Sequence, residues 1–180
     1  MCRTTAILLS ASIASMLAAP GSARAMNVGD TAKAFTLTDA HGKKYTLASF
    51  KKPILEVWYE GKSSRFQNMW LKKRIWKLRA AGRLHDSRYD SIGIANYQET
   101  AIPNVIIDMA VRRRASQHGV RVLCDRDGRM MRLWGFRQGR SNIYVFDGQR
   151  RLIWKSSGPL TRKRAKQYLR MLLRLTRKKK

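Results

Sequence analysis

The chain has 180 residues, 44% of them hydrophobic, and its 38 lysines and arginines against 11 acidic residues give a net charge of +27. This length suits a single domain with a substantial core, and no apolar run is long enough to cross a bilayer as a helix. A surface this basic attracts polyanions through counterion release and long-range steering. Acidic envelope polymer, anionic lipid headgroups and nucleic acid are therefore candidate partners, and a solvated basic surface without a partner is the alternative.

The first 25 residues have the features of an export signal. Arg3 precedes a small and apolar run at positions 6–19, and residues 23–25 (Ala-Arg-Ala) form an A-x-A cleavage site. We therefore predict a signal peptide at 1–25, a mature domain at 26–176, a basic tail at 177–180 and a periplasmic location.

Cys124 is the one cysteine left in the mature chain, which excludes an intramolecular disulfide. We predict that the mature protein is a monomer.

Hydrophobic periodicity predicts strands that alternate with helices. The predicted strands lie at 35–38, 45–47, 54–59, 89–95, 120–124, 143–146 and 152–154. The predicted helices lie at 63–81, from Pro103 to Gly119, and from Thr161 onward. In the first of them, Leu71, Ile75 and Leu78 form an apolar stripe. This order indicates an α/β domain with an N-terminal β-hairpin, and the closing hairpin makes its central sheet mixed.

The last helix is predicted to be amphipathic, with one apolar face and one basic face. Its apolar positions are Ala165, Tyr168, Leu169 and Leu172. Its basic positions are Lys163, Lys166, Arg170, Arg174 and Arg177. We expect the apolar face to dock on the sheet and the basic face to lie in water.

The strand at 54–59 leads into Gly61-Lys62-Ser63, an arrangement that also occurs in phosphate-binding loops. A Walker loop needs a glycine five residues before the second glycine, so that backbone amides can close around phosphates. In this chain that position is Glu56, which is bulky and negatively charged. The sequence therefore argues against a nucleotide-binding loop.

Residues 29–42, GDTAKAFTLTDAHG, match the pattern G-D-x-A-x-x-F-x-L-x-D-x-x-G. They resemble the entry hairpin of the peroxiredoxin and thiol-disulfide oxidoreductase superfamily, whose next strand ends in an aromatic residue followed by C-x-x-C. Alignment on Trp58 puts Lys62 and Arg65 at the two cysteine positions. The proline opposite them in that superfamily precedes a strand that ends in Asp, and counting back from Asp147 puts Ser141 in its place. Because redox exchange needs a thiolate and usually a resolving thiol, the resemblance implies a thioredoxin-like fold without the redox pair.

A narrower resemblance is to the YtfJ family, which comprises exported thioredoxin-like proteins that lack the cysteine pair. Residues 61–64 with Asn68 are similar to that family's G-R-T-S…N segment. Residues 141–147, 151–154 and 158–161 follow its S-x-I-x-V-x-D, R-x-x-W and G-x-L-T pattern. This resemblance covers most of residues 27–176 and implies fold and periplasmic location, without implying a reaction.

Cys124 is the candidate for a reactive thiol. It closes a predicted strand, and the adjacent Asp125 and Asp127 are expected to raise the thiol pKa. It also lacks the P-x-x-x-T/S-x-x-C context of a peroxidatic cysteine, so we predict a packed cysteine at a strand end.

The three histidines lack the close spacing of zinc ligands, and neither a metal nor a cofactor is predicted.

The segment after the strand at 54–59 is the candidate binding site. If a helix begins near Ser63, its first amides have no intrahelical partners and its dipole favours negative charge. Lys62, Ser63, Ser64 and Arg65 would then surround a small anion or a partner's carboxylate. The alternative is that Ser63 only caps the helix while the two basic side chains lie in water.

These features predict an exported binding protein for an anionic ligand or polyanionic partner, without enzyme activity. Two alternatives stay open at this stage. One is a thiol-dependent oxidoreductase or peroxidase that uses Cys124, alone or with a partner thiol. The other is a structural or chaperone-like envelope protein that binds through its sheet face.

Overall fold

The computed structural model describes residues 24–85 and 87–177, so nearly all of the predicted signal peptide and the last three residues of the tail lie outside it. The strands of the described chain are β1 (Thr36–Asp39), β2 (Lys44–Thr46), β3 (Ile54–Glu60), β4 (Tyr89–Asn96), β5 (Arg121–Asp125), β6 (Asn142–Phe146) and β7 (Leu152–Ser157). The α-helices are α1 (Met69–Ala80), α2 (Asn104–His118), α3 (Arg129–Trp134) and α4 (Arg162–Thr176). Among the described residues, no helix is both long and apolar enough to span a membrane.

The strands form one mixed sheet in the order β2-β1-β5-β4-β3-β6-β7. The central strands β3, β4 and β5 are parallel, and the flanking pairs are antiparallel, including β1 with β2. The predicted α/β class with a mixed central sheet is therefore confirmed. Because the three central strands are parallel, their carboxyl ends, at Glu60, Asn96 and Asp125, lie along one edge of the sheet.

Alternate side chains of β3 point to opposite faces of the sheet, and both faces are covered. On one face, Leu55, Val57 and Tyr59 join a cluster around the fully buried Trp134 of α3. On the other face, Trp58 packs in a cluster formed with α1 and α4. The near-continuous apolar run in β3 follows from this two-sided burial.

Glu56 is the exception in β3, because its carboxylate is fully buried beneath α4. The hydroxyls of Tyr89 and Tyr168 donate hydrogen bonds to it, and Ser91 Oγ donates a third at 2.6 Å. Burial and the Glu56 charge raise the pKa of both tyrosines well above their usual value, so the hydroxyls stay protonated as donors. A buried carboxylate is tolerated here because its oxygens are hydrogen-bonded.

The predicted stripes of α1 and α4 agree with the structure. The buried residues of α1 include Leu71, Ile75 and Leu78, and those of α4 include Ala165, Tyr168 and Leu172. The predicted basic positions of α4 are all exposed, namely Lys163, Lys166, Arg170, Arg174 and Arg177. The amphipathic pattern is thus sufficient to orient both helices on the sheet.

The predicted start of α1 at Ser63 was wrong, because the helix begins at Met69. Residues 62–68 form consecutive turns, in which Arg65 N donates to Gly61 O and Met69 N donates to Phe66 O. The side chain of Asn68 is fully buried and bonded to distant segments, so it holds the chain in a non-helical path up to this residue.

The helix predicted from Pro103 to Gly119 is present as α2, and Gly119 ends it with a φ of 58°, which favours glycine. No residue of α2 is fully buried. Val105, Ile106 and Met109 are large apolar side chains that are more than half exposed. This helix therefore lies against the sheet more loosely than α1 and α4 do.

Helix α3 was missed by the sequence analysis, which assigned no element between the predicted strands at 120–124 and 143–146. Asp125 belongs to β5 and is fully buried. Its Oδ2 accepts hydrogen bonds from Tyr59 Oη at 2.9 Å and from the amides of Met130 and Met131 at 3.1 and 3.3 Å. A carboxylate that binds the first amides of a helix compensates for their missing intrahelical partners.

We expect Asn68→Ala to lower the free energy of unfolding by about 2–3 kcal/mol, because it leaves buried partners without a hydrogen bond. The affected groups are Ser141 Oγ, Gly158 O and Leu160 N, which Asn68 contacts at 2.8–3.0 Å. Urea unfolding followed by circular dichroism measures the change. The matched control Asn104→Ala removes an exposed asparagine, and an equal effect of both substitutions would contradict the assignment.

Candidate functional site

The carboxyl end of β3 brings together residues that the sequence analysis placed at the degenerate redox positions. Lys62 and Arg65 lie in the turns that follow Glu60, and Ser141 directly precedes β6. Ser141 Oγ donates to Glu60 Oε1 at 2.6 Å and accepts from Asn68 Nδ2 at 3.0 Å. Ser141 is thus a fully buried connector between β3 and the turns.

Glu60 forms a close ion pair with Lys72 of α1, and both side chains are 12% exposed. Lys72 Nζ also donates to Arg65 O at 2.9 Å. Burial lowers the pKa of Lys72, and the charge and hydrogen bond of Glu60 oppose that shift. The ion pair therefore anchors the turns to α1 and neutralises the Glu60 carboxylate.

The structure separates the four residues of the predicted anion site into two pairs. Ser64 is fully buried, and its Oγ accepts from Gly61 N at 3.0 Å. Ser63 Oγ donates to Glu99 Oε2 at 2.8 Å. The two serines are therefore engaged within the protein, and only the Lys62 and Arg65 side chains are left to face a ligand.

Glu99 was not anticipated from the sequence. Besides Ser63, it accepts a hydrogen bond from Gly139 N at 2.9 Å. Its carboxylate lies so close to Gly61 that a Cβ at that position would overlap it. A larger residue at position 61 would displace the Glu99 carboxylate from this position. The chain itself thus supplies one negative charge next to the serines.

Arg65 and Arg114 form a pair of positive charges beside these turns. Both guanidinium carbons lie against the ring of Phe66, at 4.6 Å and 5.9 Å from its centroid. Within residues 24–85 and 87–177, neither arginine forms an ion pair with a carboxylate. Arg65 Nε is buried there without a hydrogen-bond partner.

Electrostatics makes this arginine pair unfavourable without a counter-ion. Burial lowers the pKa of Arg114, the positive charge of Arg65 lowers it further, and only Glu60 acts in the opposite direction. Glu60 is already paired with Lys72. The two guanidinium groups can therefore still bind an added negative charge.

An apolar cavity of about 280 Å³ opens beside the arginine pair, between the sheet and helices α1 and α2. Its floor includes Gly93, Ala95 and Val122, and its walls include Trp58 of β3 and Ile107 of α2. The small side chains of β4 and the loose packing of α2 together leave this space. Its basic lining residues are Lys62, Arg65, Lys72, Arg114 and His118.

Sequence reasoning missed Arg114, although a signal was present. Ile107, Val111 and Arg114 are spaced at i, i+4 and i+7, so they share one face of α2. Arg114 therefore lies on the same face of α2 as the two apolar residues, which is the face directed towards the sheet. The spacing alone could have identified it as a residue of the binding region.

Cys124 is 2% exposed and packs with Ala40 and Tyr97 beneath α2. Its Sγ lies 3.1 Å from the Tyr97 hydroxyl, which donates to Asp108 at 2.6 Å. The thiol pKa is raised, as predicted from the sequence, but the predicted cause was wrong. Burial is the main cause, and Asp108 contributes where the neighbouring Asp125 and Asp127 were expected to.

Comparison with solved structures shows a thioredoxin-like fold. The exposed lipoprotein thioredoxin Etrx1 from Streptococcus pneumoniae is similar with a TM-score of 0.59 and 14% identity, covering 78% of this chain and 98% of that one. A putative thiol:disulfide interchange protein DsbE from Chlorobium tepidum has a TM-score of 0.59 and 13% identity, covering 85% and 100%. Peroxidoxin BcpB from Mycobacterium tuberculosis has a TM-score of 0.58 and 18% identity, covering 85% and 99%.

No protein-family model matches the chain, and no curated protein matches it significantly. These three structures are 13–18% identical to this chain, so they establish the fold alone. The thioredoxin-like fold inferred from residues 29–42 is thereby confirmed.

We expect no reduction of insulin disulfides and no peroxide turnover above background. Lys62 and Arg65 cannot form a mixed disulfide, and the raised pKa of Cys124 leaves less thiolate at neutral pH than a free cysteine has. Iodoacetamide should label Cys124 slowly in the native protein and rapidly in urea, with peptide mass spectrometry separating this site from Cys2. Turnover that disappears in Cys124→Ser would contradict this prediction.

Proposed function

We propose that this protein is an exported, non-redox binding protein of thioredoxin-like fold whose ligand carries a negative charge. The observation that carries the proposal is the Arg65 and Arg114 pair, which has no carboxylate partner among the described residues. The pair lies where parallel α/β sheets commonly bind ligands, beside the carboxyl ends of β3 and β4.

The chemistry of arginine supports an anionic ligand. Guanidinium groups stay charged at physiological pH and donate paired hydrogen bonds to carboxylate or phosphate oxygens. Burial and the charge of Arg65 lower the pKa of Arg114, and a bound anion would act in the opposite direction. Lys62 is exposed in the same lining and adds long-range attraction.

A non-redox role is supported by the placement of the sulfur. Cys124 is buried beneath α2 and its thiolate is disfavoured, whereas the lining beside β3 offers lysine and arginine side chains. Nucleophilic thiol chemistry requires an accessible thiolate. Binding is therefore a better explanation of this site than thiol-disulfide exchange.

The exposed face of α4 supports a second candidate, which is contact with a polyanion. This helix contains no acidic residue, and its basic positions all face solvent. A row of positive charges on one exposed face attracts acidic polymers, nucleic acid or anionic lipid headgroups through long-range electrostatics. It has no enclosed pocket, so it suits an extended partner and not a small ligand.

Export is proposed on two grounds. The first is the pattern of residues 1–25, and the second is the resemblance to the YtfJ family, whose members are exported. Among proteins of similar fold, the Streptococcus pneumoniae neighbour is described as an exposed lipoprotein, which is compatible with a location outside the cytoplasm. The order of the motifs at 61–68 and 141–161 supports the same family assignment.

For the anion site, we expect sodium sulfate and sodium acetate to shift the Nε–Hε NMR signals of Arg65 and Arg114 in a saturable manner. The expected cause is direct hydrogen bonding to the guanidinium groups. A double variant, Arg65→Gln with Arg114→Gln, should lose the saturable shifts of the neighbouring 61–66 amides. The control double variant Arg162→Gln with Arg170→Gln, on exposed positions of α4, should keep them.

Equal, non-saturating shifts at every basic side chain would contradict the anion site and indicate general screening. If only the α4 control variant lost binding, the basic surface of α4 would be favoured as the functional surface. Both outcomes can be read from the same titration.

For export, N-terminal sequencing of protein recovered from the periplasm should begin at Met26. Cleavage after Ala25 keeps the contacts of Met26, whose side chain is 3% exposed and whose nitrogen donates to Trp134 O at 3.2 Å. A soluble protein that retains Met1 would contradict the proposed location.

A further inference from the structure

We infer that the apolar cavity beside Arg65 and Arg114 holds an aliphatic chain, so that the ligand is an amphipathic carboxylate with a single medium-length tail. This inference rests on the proposed anion site and specifies its ligand. In the bound state, the carboxylate would lie at the two guanidinium groups and the tail would run over Gly93 between α1 and α2.

The size and lining of the cavity support an aliphatic tail. An apolar cavity of about 150 Å³ is known to stay dry and to bind benzene. At the same volume per carbon atom, a cavity of 280 Å³ accommodates roughly ten carbon atoms. Side chains such as Ile75, Ile107 and Val111 offer a tail no hydrogen-bonding groups, so a polar tail would lose its hydration along them without compensation.

The packing around α2 indicates that the space is unfilled by the protein itself. Helix α2 has no fully buried residue, although Ile107 and Val111 direct apolar side chains towards the sheet. Trp76 of α1 and His118 of α2 stack with ring centroids 4.0 Å apart and join the two helices. An occupant between the helices would bury apolar surface that the described chain leaves accessible.

The charges at the cavity determine which end of a ligand lies where. Arg65, Arg114 and Lys62 are positive and have no carboxylate partner among the described residues. Glu60, the negative group in the same lining, is occupied by Lys72 and Ser141. A negatively charged head group is therefore favoured at this end, and a positively charged one is repelled.

The test uses the full chain and sodium decanoate as the probe, measured by calorimetry and by tryptophan fluorescence, to which Trp58 and Trp76 of the cavity lining contribute. Decanoate should bind at least about tenfold more tightly than acetate, because its tail is removed from water. It should also bind at least about tenfold more tightly than decyltrimethylammonium, which has the same tail and the opposite charge. Affinity should rise from butyrate to octanoate to decanoate.

Gly93→Leu fills the floor of the cavity and provides the matching variant. A Cβ at Gly93 meets no atom closer than 3.5 Å, and the backbone there is not in the left-handed region. The variant should bind acetate as before and lose the tighter binding of decanoate. The control Gly148→Leu, at an exposed glycine that also lacks a positive φ, should behave like the original protein.

The outcomes separate this inference from the proposed function. If acetate and sulfate perturb Arg65 but decanoate binds no more tightly than acetate, the tail site is overturned and the anion site stands. If decanoate and decan-1-ol bind equally while no anion perturbs the arginines, both the anion site and the amphipathic ligand are overturned. Because the chain-length series uses the original protein, a failure of Gly93→Leu to fold would not remove the test.

Discussion

The buried side chain of Asn68 connects three segments that are far apart along the chain. Its amide nitrogen donates to Ser141 and to the Gly158 carbonyl, and its oxygen accepts from Leu160 N. These bonds hold the turns after β3 against the segments that lead into β6 and α4. The position of α1 depends on the same bonds, because the helix can begin only after Asn68.

The Glu60 and Lys72 ion pair adds an electrostatic constraint to this framework. Lys72 lies on α1 and Glu60 ends β3, so the pair fixes the distance between the helix and the sheet. It also neutralises the acidic group whose charge acts on Arg114. The positive charge of Arg65 and Arg114 thus remains available because Glu60 has another partner.

The cavity results from a mismatch between two neighbouring elements. Strand β4 presents Gly93 and Ala95 to the face that α2 covers, and these residues are too small to fill the space. Helix α2 does not move closer, and its residues all stay partly exposed. A large apolar side chain at either position of β4 would remove the cavity without changing the sheet, so the cavity volume depends on local residue size and not on topology.

The basic turns after β3 and Cys124 lie in different parts of this fold. The residues that correspond to the redox cysteines by alignment are Lys62 and Arg65, and the remaining cysteine lies under α2 with Tyr97. Burial raises the pKa of Cys124, whereas the turns after β3 present basic groups at the accessible edge. The same edge of the sheet therefore offers positive charge in place of a nucleophile.

Local sequence patterns determined much of the architecture. Alternating and helical periodicities located the seven strands, the buried stripe of α1 and both faces of α4, because each pattern depends only on which side of an element is buried. Gly119 marked the end of α2 through its conformational freedom. Residues 29–42 indicated the fold, and Lys62 and Arg65 indicated the absence of the redox pair.

Tertiary structure decided the features that depend on distant partners. The start of α1 was mispredicted because the bonds of Asn68 reach across 73 and 92 residues. The raised pKa of Cys124 follows from burial against Tyr97, which its sequence neighbours do not reveal. The pairing of Arg65 with Arg114, and the cavity beside them, exist only because α1 and α2 pack side by side on one face of the sheet, and no local pattern specifies the distance between two helices.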